Sequence, residues 1–89
     1  MPRVTFPTGM QRHLACAPLE VEGSTVRNAL DAAFAIEPRA RGYLLDDQGA
    51  LRPHVAIFVD SIPIRDRKTL LDPVRPASDI LVVQALSGG

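Results

Sequence analysis

The sequence predicts an α+β fold in which one main helix lies on a sheet of four to five strands. Two observations carry this prediction. Val26, Ala29, Leu30, Ala33 and Phe34 recur at i, i+3, i+4, i+7 and i+8, the spacing that puts apolar side chains along one face of a helix. Around this helix stand runs that alternate or are continuously apolar and have the length of strands, the strongest being 54–60 and 79–86.

Residues 3–6, Arg3-Val4-Thr5-Phe6, alternate polar and apolar and predict a first strand with Val4 and Phe6 inward. Pro7-Thr8-Gly9 breaks it. Met10 to Pro18 fits either alternation (Leu14, Cys16) or a short helical turn (Met10, Leu14, Ala17), and is read as irregular. Leu19-Glu20-Val21-Glu22 predicts a short second strand with both carboxylates outside, ended by Gly23. Ser24 and Thr25 supply hydroxyl N-caps for the helix, Arg27, Asn28 and Asp31 fall on its outer face, and Pro38 sets its far limit.

Residues 39–53 are rich in Arg, Asp and Gly but contain Tyr43, Leu44, Leu45 and Leu51, so they are expected to wrap the core. In the run from His54 to Asp60, Val55, Ile57 and Val59 share one face while Ala56 and Phe58 share the other. A two-residue turn at Asp60-Ser61 leads into Ile62-Pro63-Ile64, which Pro63 confines to a sheet edge because it has no N–H to donate. Leu70, Leu71 and Val74 are the expected plugs in the polar connection 65–76. The last run, Asp79 to Leu86, is apolar on both faces and predicts a central strand. With Ile80 and Val82 toward the helix, Leu81 and Val83 point away and join Phe58 in an apolar patch, unless the protein's own loops cover it.

Eighty-nine residues fit one domain, read as a body over 1–87 and a flexible diglycine tail at 88–89. Lys and Arg number 10 and so do Asp and Glu, so no global field draws the chain to nucleic acid or to an anionic membrane. No apolar run approaches the roughly 20 residues that span a bilayer, and no signal-type block follows Met1, so a cytoplasmic location is expected. Cys16 stands alone, which excludes an intrachain disulfide. His13 and His54 have no metal-ligand spacing with it, so no metal or bound cofactor is expected. Lys68, the only lysine, reads as part of a solvated loop, with steering to an acidic partner or acceptance of a conjugate as the functional alternatives.

The sequence ends Leu86-Ser87-Gly88-Gly89. At an average glycine usage of about 7%, a terminal Gly-Gly arises by chance about once in two hundred chains, so the pair is either a chemical handle or an ordinary frayed end. Taken in order, Val4 and Phe6, the Gly23-Ser24-Thr25-Val26 helix start, the stretch from Leu51 to Val59 and the terminal Gly88-Gly89 resemble the β-grasp of ubiquitin and, more closely, the MoaD/ThiS family of bacterial sulfur carriers. The resemblance covers nearly the whole chain and leans toward the molybdopterin-synthase small subunit and the carrier that feeds a cysteine synthase. It implies a mixed sheet. Two departures stand out: Asp60-Ser61 replaces the usual Asn-Gly, and Pro76-Ala77-Ser78-Asp79 replaces an acidic, glycine-containing turn. Serine is poorly suited to the positive φ of a type I′ turn, so another turn type is expected at the hairpin.

The resemblance further implies that a ubiquitin-activating-type adenylyltransferase uses ATP and magnesium to adenylate the Gly89 carboxylate. A sulfurtransferase or other sulfur donor then displaces AMP to leave a thiocarboxylate. The acceptor would be a synthase: a molybdopterin-synthase large subunit, a thiazole synthase or a cysteine synthase. Gly88 and Gly89 lack Cβ atoms and suit a narrow channel, and Leu86 to Gly89 reach at most about 14 Å, so the body must dock close by. Phe58, Leu81, Val83, Leu86 and Ser87 are the expected partner-binding residues. On this reading the chain is a carrier and not itself an enzyme. A ubiquitin-like modifier linked to lysines through Gly89, and a β-grasp interaction module with no tail chemistry, are the alternatives.

Overall fold

The computed structural model describes residues 1–6 and 18–84. The break at Pro7-Thr8-Gly9, the reading of Met10 to Ala17 with His13 and Cys16, and the stretch from Ala85 to Gly89 lie outside the described residues. Within them the order is β1 (Arg3–Thr5), β2 (Leu19–Glu20), α1 (Val26–Ile36), α2 (Arg39–Leu44), β3 (Val55–Val59), β4 (Ile62–Pro63) and β5 (Asp79–Gln84).

The strands form one mixed sheet in the order β2-β1-β5-β3-β4. β5 lies at the centre, parallel to β1 and antiparallel to β3, while the outer pairs β1–β2 and β3–β4 are antiparallel. Paired along both sides, β5 is the central strand that the apolar run Ile80–Val83 predicts. Pro63 sits on the outermost strand, where its missing N–H leaves no gap in the ladder.

Helix α1 presents Val26, Ala29, Leu30, Ala33 and Phe34 to the sheet, the same five residues that the spacing selects. They form one core with Val4, Phe6, Val55, Ile57, Ile80 and Val82. At the N-cap, Thr25 is extended (φ −133°, ψ 163°) and its Oγ1 accepts the Asn28 N–H at 3.1 Å. The next two amides are satisfied from elsewhere: Val26 donates to the Asp72 carbonyl at 2.9 Å and Arg27 to the Leu70 carbonyl at 2.8 Å. Gly23 permits this arrangement, because a Cβ there would stand 2.6 Å from the Ala29 nitrogen.

Three expectations need correction. Residues 39–53 do wrap the core through Leu44, Leu45 and Leu51, but they begin with a second helix, α2, whose Ala40 and Leu44 are buried at i, i+4. Pro38 therefore ends one helix and opens the next, since its φ of −59° is already helical. Leu71 is no plug: it is 57% exposed, whereas Leu70 and Val74 are buried. The hairpin turn is also not of another type, because Asp60 (φ 51°) and Ser61 (φ 71°) both have the positive φ of a type I′ turn.

Candidate functional site

Residues paired across strands share a face of the sheet. Phe58 lies opposite Leu81 and Ala56 opposite Val83, while Thr5 flanks Leu81 from β1. Ile80 and Val82, one residue out of phase, are buried in the core. Leu81 remains 45% and Val83 37% exposed, and Phe58 is half-buried. The alternation is therefore the expected one, and these three residues form an open apolar patch on the face away from α1. Leu86, Ser87, Gly88 and Gly89 lie outside the described residues.

A cleft of about 600 Å³ opens on this face, with Phe58, Leu81 and Pro18 supplying apolar wall. Arg3, Asp60 and Asp79 put charge around it. An apolar floor with a charged rim is the composition of an interface core and its edge. Thr5 and Arg3 belong to this surface, but no sequence pattern singled them out: they reach it through the parallel pairing of β1 with β5, which is a tertiary property.

The other end of β5 is built differently. Gln84 pairs with Val55, and the Val55 carbonyl accepts Arg67 Nη2 at 2.6 Å. The same nitrogen donates to the Arg52 carbonyl at 2.9 Å, while the Arg67 carbonyl accepts the Leu51 N–H at 2.8 Å. Arg52 Nε in turn donates to the Gly42 carbonyl at 3.0 Å. Sequence reading of 65–76 as a polar connection missed Arg67, whose role as a tie between two loops leaves no local signal.

Two aspartates organise the loop that carries Arg67. The Asp72 carboxylate accepts the N–H groups of Arg65 (2.9 Å) and Asp66 (2.8 Å). Asp66 accepts the Thr69 hydroxyl and the N–H groups of Lys68, Thr69 and Leu71. Chiefly through the Thr69 hydroxyl and then the Thr69 N–H, the Asp66 pKa is lowered to about 2, against an opposing effect of desolvation. Leu70 lies in this loop at φ 60° with its side chain buried, a strained conformation for a bulky residue. Among the described residues no group of His, Cys, Asp and Glu could hold a metal, and no helix is long and apolar enough to cross a membrane.

The mixed sheet, with β5 at its centre and α1 across one face, is that of a ubiquitin-like β-grasp protein. Solved structures bear this out over the full chain. A chain of the BexX/CysO complex of Amycolatopsis orientalis superposes with a TM-score of 0.86 at 20% identity, covering 100% of both chains. CysO of Mycobacterium tuberculosis gives 0.83 at 19% identity over 97% of this chain and 100% of the other. SAMP1 of Haloferax volcanii gives 0.79 at 19% identity over 99% and 98%. No family model and no curated protein matches the sequence.

Proposed function

We propose that this chain is a sulfur carrier, a protein cosubstrate whose working group is the α-carboxylate of Gly89. The observation that carries this reading is the placement of β5: the central strand of a ubiquitin-like sheet leads, five residues past Gln84, to Gly88-Gly89. An α-carboxylate has a pKa of about 3.3 to 3.7, so near neutrality it is ionised and a poor electrophile. Its oxygen attacks the α-phosphorus of ATP on an activating enzyme and pyrophosphate leaves. The acyl adenylate now carries a good leaving group. Sulfide supplied by a donor attacks the acyl carbon, AMP departs as the leaving group, and a thiocarboxylate remains for delivery to an acceptor synthase in cofactor or amino-acid biosynthesis. ATP and magnesium belong to the activating enzyme; the body contributes recognition.

The open patch of Phe58, Leu81 and Val83 is the surface we assign to that recognition, and Leu86 and Ser87, which follow it in sequence, are assigned to the same partner. The occurrence of a similar fold in a BexX/CysO complex supports a carrier that docks on a larger partner. A second reading, a modifier conjugated to lysines through Gly89, is favoured by the likeness to SAMP1, a small archaeal modifier protein. The same acyl adenylate serves both, since an amine can replace the sulfur nucleophile.

Intact mass after incubation with ATP, an activating enzyme and a sulfur source tests the proposal. Exchange of one carboxyl oxygen of Gly89 for sulfur is the expected result. Adducts on other proteins would select the modifier. An unchanged mass with several competent activating enzymes would sink both readings and leave an interaction module without tail chemistry.

A further inference from the structure

The cleft beside Phe58 and Leu81 is charged at one end only. Across the open face, Thr5, Leu81, Phe58 and Pro63 form one row over four strands, and Ala56 and Val83 form the next. One step the other way stand Arg3, Asp79 and Asp60, all of them lining the cleft. Two carboxylates against one guanidinium leave that end negative, in a chain whose 10 basic and 10 acidic residues otherwise balance. Glu20, opposite Arg3 in register, adds another negative charge to the same row.

The two aspartates are held in place and not neutralised. Asp60 Oδ1 accepts the Asp79 N–H and the Asp60 N–H donates to the Asp79 carbonyl, which keeps the two residues side by side. Among the described residues no ion pair joins Asp60, Asp79 or Arg3 to an opposite charge. Arg3 neighbours Asp79, but Asp60 lies beyond β5, two strand spacings or about 10 Å from Arg3 between backbones. Like charges side by side on one face weaken a sheet, and these border an apolar floor. A cation is what this corner lacks. Arginine suits every part of the cleft: its stem lies on apolar surface, its planar guanidinium stacks on an aromatic ring, and its fork of donors serves two carboxylates at once. The compact, strongly hydrated ammonium of lysine answers only the charge.

We propose that the docking partner inserts an arginine into this cleft, its guanidinium between Asp60 and Asp79 and its stem along Phe58 and Leu81. An apolar patch alone fixes no direction of approach, whereas an opposite charge waiting at one end of it does. The arginine therefore orients this chain on its partner as well as holding it there. The inference rests on the docking role given above to Phe58, Leu81 and Val83, and needs none of the chemistry at Gly89.

The test titrates the isotope-labelled full chain with a short end-blocked peptide, Gly-Leu-Arg-Leu-Gly, and follows backbone amides by NMR at low ionic strength. Three further peptides carry citrulline, lysine or glutamate in place of the arginine. Citrulline keeps the shape of arginine and drops its charge. The arginine peptide is expected to bind in the millimolar range and to shift the amides of Phe58, Asp60, Asp79 and Leu81. The citrulline and lysine peptides should bind about five- to tenfold more weakly, and the glutamate peptide not at all. Asp60→Asn combined with Asp79→Asn removes both charges but keeps the clasp, because an asparagine oxygen still accepts the N–H of residue 79 and asparagine tolerates positive φ. This double variant should hold the arginine peptide no better than the parent holds the citrulline one. Arginine bound no more tightly than citrulline or lysine, undiminished binding by the double variant, shifts confined to another surface, or no saturation by about 10 mM peptide would each overturn the proposal. The ATP-dependent mass change decides the carrier reading separately, so either can fail while the other stands.

Discussion

Asp60 and Asp79 clasp each other across the turn end of the β3–β5 ladder. The Asp60 N–H donates to the Asp79 carbonyl at 2.9 Å, and the Asp60 carboxylate accepts the Asp79 N–H, also at 2.9 Å. The pairing is carried one step past Val59 and Ile80 even though Asp60 has already turned into the left-handed region at φ 51°. Aspartate tolerates that region because its short carboxylate bonds locally to backbone, which is how a type I′ turn survives here without Asn-Gly.

Ser61 has no such compensation at φ 71°. Ser61→Gly is therefore expected to stabilise the protein by about 0.5–1 kcal/mol, since relief of strain outweighs the added freedom of the unfolded chain. Asp60→Ala, which loses both the bond to Asp79 and the tolerance for positive φ, should cost about 1–3 kcal/mol. Urea titration of the two variants against the parent measures both.

Adjacent residues of β5 should respond in opposite ways. Val82 is 1% exposed, so Val82→Asp buries an unpaired carboxylate and should cost more than about 3 kcal/mol, enough to threaten folding. Val83→Asp, on the open face, should change stability by less than about 1 kcal/mol while weakening activation by the partner enzyme. Circular dichroism melts read the first effect, and the rate of ATP-dependent thiocarboxylate formation reads the second.

Gly23→Ala is expected to destabilise by about 1–3 kcal/mol, because the new Cβ would meet the Ala29 nitrogen at 2.6 Å and the first turn of α1 cannot retreat from it. Differential scanning calorimetry would show the fall in Tm.

Asp66 gives the stability a defined acid sensitivity. Its pKa falls from 3.8 to about 2 on folding, so its contribution is complete above pH 3.8 and is lost as the pH drops toward 2. Asp66→Asn should be less stable than the parent near neutrality and should show a flatter pH dependence between those values. Denaturant midpoints across that range would test both parts.

Much of the fold was legible because its signals are local. The α1 stripe and the phases of β3 and β5 follow from periodicity alone, and the structure buries the residues that periodicity selects, except Val59, which is half-buried. What escaped was non-local or short. Six residues of α2 carry only the Ala40–Leu44 pair as a sign, and a reading that asks for two or three turns passes over it. Leu70 and Leu71 are indistinguishable in sequence; Leu70's positive φ is part of the turn that leaves one buried and the other in solvent. At the hairpin, propensity argued against the turn that forms, and the Asp79 clasp overrides it. In the candidate site, Phe58, Leu81 and Val83 could be read from strand phase, whereas Arg3 and Thr5 depend on which strand lies beside β5.

That neighbour is β1, so the middle of the sheet joins the two ends of the described chain, Arg3 against Asp79 and Thr5 against Leu81. Closing a loop over such a separation carries an entropic cost, and pairings distant in sequence slow folding in general. During synthesis, the sheet acquires its central strand only after Gln84 has cleared the ribosome. The face that carries Leu81 and Val83 therefore exists only on a chain whose β5 has been made, and a truncation before Asp79 removes the candidate site together with the centre of the sheet.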